Sequence, residues 1–536
     1  MSPAFTRRQL LRLGGSTLVV AGAAGYGVAA YTANVVRADL VVYGATAAGI
    51  VAAVQMRRMG CTAVILEPGC HIGGMTTGGL GFTDRGTAAA IGGIAGEFYR
   101  RVHAKCHGNT LTSDSPTRLA FEPHVAAEVF DDLLAEHGIA VYLGARLVAV
   151  TTVGNRITAL TVHDERTFAG SMFLDATYEG DLMASAGVAH TFGREANSVY
   201  GETVNGVQLS TAHQFSLSVD PYVVPGSPRS GILPGISRTP VAPAGTGDGR
   251  TQAYNFRMCL TRAADRIRFP RPAGYDPADY EIVYRYVQAG YRGPFFSARG
   301  VGNGKTDSNN NGAFSTDFIG ANYDYPTASH TLRRTITDDH RSYQQGLLWF
   351  LANDPRLPAS VRASTAAWGL AADEFTATGG WPPQLYVRES RRMLSAYVMT
   401  EWDCRGRVRA PDSIGLASYT IDSHNCQRTV IDGSVRNEGD VQVKTPGPYP
   451  VSYRSIVPFE AQCANLLVPV CLSASHVAYG SLRMEPVFML LAQSAATAAK
   501  LALDSGVPVQ RVDIAALQTR LSQGGQHLQW PLAPAP

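Results

Sequence analysis

A short turn near the start of the chain contains residues that suit the binding of phosphate. The turn is Gly44-Ala45-Thr46-Ala47-Ala48-Gly49. Gly44 permits a tight turn, and the small side chains after it let a pyrophosphate approach the backbone. A helix that starts here would offer free N–H groups and a partial positive charge to the phosphates. These residues therefore predict a nucleotide-binding turn in which Gly49 lets the helix pack closely.

The segments around this turn have the order and length of a βαβ nucleotide-binding unit. Residues 39–43 and 62–66 are apolar runs that predict buried strands, and residues 50–59 predict a helix between them. Glu67 ends the second strand, where a carboxylate can accept hydrogen bonds from a ribose diol. An acid at this position favours FAD or NAD over NADP, because it would repel the 2′-phosphate.

A glycine-rich loop follows the second strand and favours FAD over NAD. The loop reads Glu67-Pro68-Gly69-Cys70-His71-Ile72-Gly73-Gly74-Met75-Thr76-Thr77-Gly78-Gly79-Leu80. Such a loop lets the backbone lie against a flat or phosphorylated ligand, whereas a simple NAD domain continues with a helical crossover. Cys70 and His71 are nucleophiles within the loop. A covalent bond to flavin through one of them is the alternative to ring packing or phosphate contact by His71.

The turn and the loop together resemble a known family. Residues 39–50 and 73–84 are similar to the FAD-dependent oxidoreductase family of the glutathione-reductase-type flavin fold, whose members sometimes carry a xanthan-lyase name. Relatives often replace the middle glycine of the G-x-G-x-x-G pattern with a small residue, as Thr46 does here. The resemblance implies an α/β enzyme with a two-part FAD-binding Rossmann-like domain, built from βαβ units on a parallel sheet, and an inserted α+β substrate domain.

The resemblance also covers segments that would complete the FAD site. Residues 171–177 predict a strand that leads to elements similar to the family's Asp-Ala-Thr and Gly-Asp. Residues 465–470 predict another strand, and the helix predicted for residues 486–503 resembles the one that meets the ribityl chain and the pyrimidine edge of the flavin. The predicted cofactor-binding residues are Gly44, Thr46, Ala47, Ala48, Gly49, Glu67, Pro68, His71, Gly73, Gly74, Met75, Asp175, Gly180, Asp181, Ser475 and Arg483.

The distribution of these features predicts how the chain is divided. Residues 39–205 and 371–515 are expected to form the two parts of the FAD-binding domain. Residues 206–370 lack glycine fingerprints and contain Pro-rich turns and Tyr/Arg-rich stretches, so we expect an inserted substrate domain there. Residues 516–536 are expected to form a loose C-terminal tail.

Histidine and arginine side chains are the candidates for proton transfer and charge stabilisation. The resemblance places His424 near the flavin face, where an imidazole could act as the base near neutral pH; a structural histidine is the alternative. His476 is a second candidate. Arg454 and Arg483 could hold a carboxylate or a flavin carbonyl with a planar fork of donors. Three more arginines could instead form ion pairs on a helix surface: Arg388, Arg391 and Arg392.

Composition argues against several other functions. The formal net charge is +3 and no long basic tract is interleaved with aromatic residues, so we expect no nucleic-acid binding. The eight cysteines include no CxxC pair, which argues against a zinc ribbon, a redox dithiol or an iron–sulfur cluster. The Asn- and Asp-rich residues 301–326 lack the glutamate and register of a calcium loop. We expect an Asx-rich turn there rather than a metal site, and the family has a similar element that could contact substrate.

The N-terminal residues have the order of an export signal. The paired Arg7 and Arg8 precede a Gly- and Ala-rich apolar stretch without charge up to residue 36. The pair and its neighbours resemble a twin-arginine signal, and a transmembrane anchor is the alternative. We therefore expect residues 1–38 to direct export to the periplasm or the outside of the cell, and to supply the chain's contact with a membrane.

The sequence thus predicts an exported FAD-dependent dehydrogenase or oxidase. It would transfer a hydride from a small organic substrate to flavin, with oxygen or a quinone as possible electron acceptors. One alternative is a flavin monooxygenase, which would need NAD(P)H, although a second complete nucleotide fingerprint is missing from the sequence. The other alternative is a non-catalytic exported binding protein on a flavin fold. The substrate, the acceptor and the oligomeric state do not follow from these residues.

Overall fold

The computed structural model of the protein describes residues 35–108 and 119–532. Nearly all of the predicted export segment therefore lies outside the described residues. The first strand begins at Val35, four residues before the predicted start of the fold, because its first residues pair with residues 167–170. From Val35 onward the chain forms one compact unit. The division into FAD-binding and substrate domains stays a prediction.

Nineteen strands lie within the described residues. They are β1 Val35–Tyr43, β2 Ala63–Leu66, β3 Ala140–Tyr142, β4 Leu147–Val153, β5 Arg156–Val162, β6 Thr167–Asp175, β7 His190–Thr191, β8 Cys259–Thr261, β9 Phe296–Gly302, β10 Lys305–Asn310, β11 Gly369–Leu370, β12 Arg392–Met393, β13 Ser413–Ala417, β14 Ile421–Ser423, β15 Gln427–Ile431, β16 Ser434–Glu438, β17 Val441–Val443, β18 Tyr449–Ser452 and β19 Leu466–Leu467.

Thirteen α-helices lie within the same residues. They are α1 Ala47–Arg58, α2 Gly74–Thr77, α3 Gly93–His107, α4 Pro123–Glu136, α5 Asp181–Ser185, α6 Asn197–Tyr200, α7 Glu281–Gln288, α8 His330–Asn353, α9 Ala359–Ala366, α10 Glu401–Cys404, α11 His476–Leu482, α12 Glu485–Ser505 and α13 Ile514–Gln523.

The largest sheet brings the two predicted parts of the FAD-binding fold together. Its order is β3-β2-β1-β6-β5-β4; the first four strands are parallel, and β19 also pairs with β6. Tyr43 at the end of β1 lies opposite Leu66 of β2 and Asp175 of β6. The carboxyl ends of three strands therefore meet at one edge, which is where ligands bind in open α/β sheets. The predicted α/β fold is confirmed.

Two helices pack together in the core beside this sheet. Helix α1 lies against α12, and both are made mainly of buried apolar residues. Among the described helices, α12 alone has the length and apolar composition to cross a membrane, but it is mostly buried inside the protein, as a core helix is. Beyond α13, Gln526 is also buried and hydrogen-bonds to Ser494 of α12. The chain thus stays packed on the core past the predicted start of the tail.

A second, antiparallel sheet lies within the predicted substrate domain. Its order is β11-β8-β10-β9. In the Asn- and Asp-rich stretch, Lys305–Asn310 form strand β10, residues 311–326 are mostly turns and bends, and Asn303 and Gly304 form a turn with φ angles of +47° and +72°. Positive φ at both central residues is typical of a tight hairpin, which Asn-Gly favours. The start of the stretch is therefore a β-hairpin with Asn303 and Gly304 at its tip.

Candidate functional site

The turn between β1 and α1 has the geometry that its glycines predict. Gly44 has a φ of +104°, and a Cβ there would lie 2.9 Å from the backbone of Ala176 and Thr177. A Cβ on Gly49 would lie 2.0 Å from the Gly44 carbonyl oxygen, so α1 packs directly against the turn. Thr46 caps α1 with its hydroxyl, which accepts from the Gly49 N–H and donates to the Ala176 carbonyl.

Two backbone N–H groups in the first turn of α1 are left for a ligand. Those of Ala47 and Ala48 have no hydrogen-bond acceptor among the described residues. Both side chains are methyl groups, which put no bulk between the backbone and a bound anion. The start of a helix adds a partial positive charge. This arrangement fits a diphosphate.

Glu67 lies at the end of β2, beside the same turn. Its two carboxylate oxygens accept hydrogen bonds from the N–H groups of Ala45 and Gly69, at 2.8 and 2.7 Å. Burial raises the pKa of Glu67 to about 7, against the effect of these two bonds. The side chain and its neighbour Pro68 remain partly accessible. Each oxygen has a second acceptor position, so Glu67 can also hold ribose hydroxyls.

The glycine-rich loop after Glu67 packs against the α1 turn. The Gly73 N–H donates to the Ala45 carbonyl oxygen at 2.7 Å. A Cβ on Gly74 would lie 2.4 Å from the hydroxyl oxygen of Tyr178, which also accepts a hydrogen bond from the Met75 N–H at 2.9 Å. The glycines thus let the loop lie close to β6 and α1, at the edge of the sheet where the strand ends meet.

The two nucleophiles of this loop differ in their surroundings. The Nε2 atom of His71 lies 2.8 Å from the Thr77 hydroxyl, and burial lowers the pKa of His71 to about 4. His71 is therefore neutral at pH 7, and one ring nitrogen already has a protein partner. Cys70 is exposed. A covalent flavin bond through either residue stays a prediction.

The predicted acids after β6 have internal partners. Asp175 is buried and accepts two backbone N–H hydrogen bonds, and burial raises its pKa to about 6. Gly180 has a φ of +70° and leads into α5. Asp181 pairs with the guanidinium groups of Arg333 and Arg391, at 2.6 and 2.7 Å. These acids hold the chain after β6 in place beside Gly44.

The start of α12 connects the glycine-rich loop to a second group of polar residues. Glu485 accepts hydrogen bonds from the hydroxyls of Thr76 and Tyr178, at 2.8 and 2.7 Å, and burial raises its pKa to about 7. Two residues earlier, Arg483 donates to the carboxylate of Asp422 at 3.0 Å. The residues around Asp422 therefore lie close to the predicted cofactor loop.

His424 is held between two carboxylates in this second group. Its Nδ1 atom lies 2.7 Å from Asp317, and its Nε2 atom lies 3.5 Å from Asp422. Asp317 and His424 are both buried. Burial alone would raise the pKa of each aspartate, but neighbouring cations dominate and lower both values. Since an ionised Asp317 binds the Nδ1 side, the Nε2 side of His424 is the one left for proton transfer.

Three buried arginines surround the ring of Tyr386 beside His424. The guanidinium carbons of Arg257, Arg388 and Arg483 lie 5.9, 4.7 and 5.6 Å from the ring centre. Each arginine pairs with at least one aspartate, Arg257 with both Asp307 and Asp84, and keeps one buried nitrogen without a hydrogen-bond partner among the described residues. An unpaired buried donor costs about 1–3 kcal/mol. A ligand with acceptor oxygens would satisfy these donors.

The alternative interpretation of the neighbouring arginines is wrong, because all three lie outside the described helices. Arg388 and Arg392 are almost completely buried and lie outside the α-helices, so they do not form ion pairs on a helix surface. Arg392 pairs with Glu195 and Glu389, and Arg391 pairs with Asp181.

His476 and Ser475 have internal partners at the start of α11. His476 contacts Glu389 through Nδ1 at 2.7 Å and Ser423 through Nε2 at 3.0 Å, and burial lowers its pKa to about 3. Both ring nitrogens are therefore occupied by protein groups, which favours a structural role. Ser475 caps α11 and donates to Glu202. The predicted roles of both residues stay untested.

Arg454 lies apart from the His424 group. Its side chain is 44% exposed, pairs with Asp412 at 3.0 Å and stacks on Tyr397. It lines a surface cavity of about 580 Å³ with Val457 and Phe459. Nothing among its contacts connects it to His424, so the structure does not bring these two predicted catalytic residues together.

One group of possible metal ligands occurs within residues 35–108 and 119–532. Glu122, His124 and Glu374 have ligand atoms within 4.8 Å of one another. The ammonium group of Lys305 lies 2.6 Å from Glu122 and 3.1 Å from Glu374. The ammonium group of Lys305 therefore offsets part of the charge of these carboxylates.

Comparison with known proteins identifies the family. A family model described as FAD dependent oxidoreductase matches residues 39–521. The chain belongs to this family. FAD is accordingly its cofactor, as predicted. No curated protein matches the chain significantly.

Solved structures show weaker likenesses to this FAD-dependent oxidoreductase. Bacillithiol disulfide reductase from Staphylococcus aureus is 14% identical, with 26% of this chain and 38% of that chain covered and a TM-score of 0.19. A flavin monooxygenase from Stenotrophomonas maltophilia is 18% identical, with 30% and 42% covered and a TM-score of 0.20. Thioredoxin reductase from T. acidophilum is 19% identical, with 31% and 40% covered and a TM-score of 0.17. The chain thus spans about two fifths of the length of these chains, and likenesses of this size do not indicate a reaction.

The residues at the sheet edge fit FAD. Ala47 and Ala48 would hold the diphosphate through their free N–H groups, and Glu67 would hold the ribose. The unpaired donors of Arg388 and Arg483 would suit oxygen acceptors of the flavin or of a substrate. The described residues therefore include donors that suit the acceptor oxygens of FAD.

Several residues of the site were missed from the sequence. Asp317 lies in the Asn- and Asp-rich stretch 301–326, which was expected to form a turn or to contact substrate, but its pairing with His424 was not predicted. Arg257 lies in the predicted substrate domain without a local motif, and nothing in the neighbours of Tyr386 indicates a ring surrounded by arginines. These residues pair with residues that are distant in sequence. Without knowing those partners, the sequence does not indicate that their charged side chains are buried together.

Proposed function

We propose that this oxidoreductase is a dehydrogenase or oxidase in which a small organic substrate gives up a hydride to flavin and a proton to His424. The observation that carries the proposal is the pairing of Nδ1 of the buried His424 with Asp317, which leaves Nε2 as the proton acceptor. Bound FAD supplies the two-electron acceptor. The protein supplies the base and holds the substrate.

His424 would take the proton of a substrate hydroxyl or amine at Nε2. Asp317 keeps the ring in one orientation and stabilises the cation that forms, as a carboxylate does for a general-base histidine. Asp422 lies 3.5 Å from Nε2 and adds to this stabilisation. A positioned base of this kind contributes about 10²–10⁴-fold to a rate.

The arginines around Tyr386 would hold acceptor oxygens of the substrate or of the flavin. Their charges are largely balanced by Asp307, Asp317 and Asp422. The site therefore combines many donors with little net charge, which supports a polar organic substrate rather than a strongly ionic one. The proposal includes export of the protein, which the N-terminal Arg7 and Arg8 support. It also includes oxygen or a quinone as the electron acceptor.

The test uses the full chain, expressed with its export route and purified with its flavin. A panel of small hydroxy and amino compounds is added without oxygen, and bleaching of the flavin absorbance is followed. We expect one class to bleach the flavin, and His424→Asn to slow bleaching by about 10²–10⁴-fold with an unchanged flavin content. The matched control is His163→Asn, since His163 is exposed on the β5–β6 hairpin.

The outcomes separate the proposal from its rivals. Bleaching by NADH or NADPH, and by no compound of the panel, would identify a monooxygenase-type reaction instead. A colourless, folded protein that cannot be reconstituted with FAD would favour the non-catalytic binding protein. If the substrate bleaches the flavin of His424→Asn as fast as that of the wild-type protein, His424 is not the base. Oxygen and quinone are then compared as oxidants of the bleached protein.

A further inference from the structure

A second histidine–aspartate pair lies beside the His424 pair. The Nδ1 atom of His213 lies 2.7 Å from Asp440, as Nδ1 of His424 lies from Asp317. The two rings are nearly parallel, with 16° between their planes and 6.4 Å between their centres. Each ring thus binds a buried aspartate through Nδ1. Nε2 of His213 has no hydrogen-bond partner among the described residues, and Nε2 of His424 lies 3.5 Å from Asp422.

The two rings differ in their access to solvent. The His213 side chain is 31% exposed, whereas that of His424 is 7% exposed. Asp440 is buried and one of its oxygens has no hydrogen-bond partner among the described residues. His213 therefore lies between the buried base and the surface.

The backbone at His213 is held in an unusual conformation. Its φ is +46°, in the left-handed region that costs a non-glycine residue about 1–3 kcal/mol. The Asn437 side chain donates to the His213 carbonyl oxygen at 2.9 Å, and Gln214 bonds to the backbone of Asn437 on both sides. The loop is thus fixed to β16 so that the His213 ring stacks over His424. Strain kept by several bonds is common at functional sites.

We propose that His213, with Asp440, is the proton exit through which His424 returns its proton to solvent. This inference rests on the proposed role of His424 as the base. The proton taken by Nε2 of His424 would pass by way of water to Nε2 of His213, whose ring centre lies 6.4 Å from that of His424. His213 would then release it to bulk water. No electrons move in this step, because the electron pair stays with the flavin.

The charges around His213 suit a group that takes up and releases a proton. It faces Asp440 directly and Asp317 and Asp422 across the His424 ring. The hydrogen bond to Asp440 raises the pKa of His213, although burial opposes this. Arg388 and Arg483 lie behind these aspartates and are paired with them, so they do not reverse the effect.

The first test compares turnover of the wild-type protein and His213→Asn, with a substrate found in the panel. Asn tolerates positive φ, so the variant keeps the loop and loses the imidazole. We expect turnover in dilute buffer to fall about tenfold or more, and imidazole in the buffer to restore it. His163→Asn, an exposed histidine elsewhere, is the control. Asp440→Asn should show a smaller loss of the same kind.

Two outcomes would overturn the proposal: unchanged turnover in His213→Asn, or a loss that imidazole does not restore. If no compound of the panel bleaches the flavin of the wild-type protein, the proposed function fails. A second measurement then still tests the pairing of His213 with Asp440. Histidine ring signals are followed by NMR during a pH titration of the full chain. We expect the His213 signal to titrate at a lower pH in Asp440→Asn than in the wild-type protein, because the hydrogen bond to Asp440 raises the pKa of His213. An identical His213 titration in both proteins would refute the pairing on which the relay rests.

Discussion

The Gly49→Ala substitution tests the nucleotide turn most directly. The added Cβ would lie 2.0 Å from the Gly44 carbonyl oxygen, 3.1 Å from Val42 and 3.2 Å from Ala176. The first contact is 1.0 Å short of the 3.0 Å that real Cβ atoms keep, and its partner is backbone, so α1 and the turn must separate. A displacement of ~1 Å at a binding site costs about 100-fold, and overpacking a core costs about 1–3 kcal/mol.

The assay measures FAD affinity and stability separately. FAD is titrated into the flavin-depleted protein and followed by flavin fluorescence, and urea unfolding is measured with and without FAD. In the wild-type protein, FAD at about 100 times its Kd should add ~2.7 kcal/mol to the free energy of unfolding. We expect Gly49→Ala to bind FAD about 100-fold more weakly and to lose this increment.

A matched glycine provides the control. A Cβ on Gly249 would meet no atom within 4 Å, and its φ lies outside the left-handed region. Gly249→Ala should therefore bind FAD as the wild-type protein does. The reasoning is refuted if Gly49→Ala keeps wild-type FAD affinity while it remains folded by circular dichroism, because the turn would then not hold the diphosphate.

Three further predictions concern buried charge and the flavin bond. Arg388→Met should lower the free energy of unfolding in urea by about 3–5 kcal/mol, because Asp317 loses its buried partner. The double variant Arg388→Met/Asp317→Asn should lose less, and an equal or larger loss in the double variant would contradict the reasoning. The folded pKa of Glu485 is raised to about 7 from an unfolded value of about 4.3, so its stabilising effect is complete below about pH 4.3 and is lost as pH rises through 7. Urea unfolding is therefore measured at pH 5 and pH 8. The free energy of unfolding of Glu485→Gln should rise relative to that of the wild-type protein at pH 8, and an equal difference between the two proteins at both pH values would rule this out. Acid precipitation should release the yellow colour into the supernatant; colour that stays in the pellet, and is lost in His71→Ala or Cys70→Ala, would instead establish a covalent flavin.

The cofactor end of the site could be predicted because its signal is local. The turn at Gly44, the helix after it and Glu67 lie within 24 consecutive residues. Their conformations depend on steric demands within that stretch: a positive φ at Gly44 and a missing Cβ at Gly49. The fold of this part and the FAD cofactor were therefore available from the sequence and its resemblance to the family.

The substrate end could be predicted only in part. His424 was recognised as a candidate, but its partner Asp317 lies 107 residues away, and Arg257 and Tyr386 come from other segments. The predicted roles of His476 and Arg454 remain untested, although the structure gives His476 two protein partners and leaves Arg454 at a separate surface cavity. A histidine in the sequence does not reveal whether its second nitrogen is free.

The sequence by itself therefore determined the βαβ unit, the family and the cofactor. Only the tertiary structure decided which polar residues share a site: Glu485 with Thr76 across 409 residues, and His424 with Asp317 and His213. The physical reason is that turns and helix starts are governed by neighbouring residues. The protonation and orientation of a buried side chain depend on the groups that surround it, and chain folding brings those groups from distant positions.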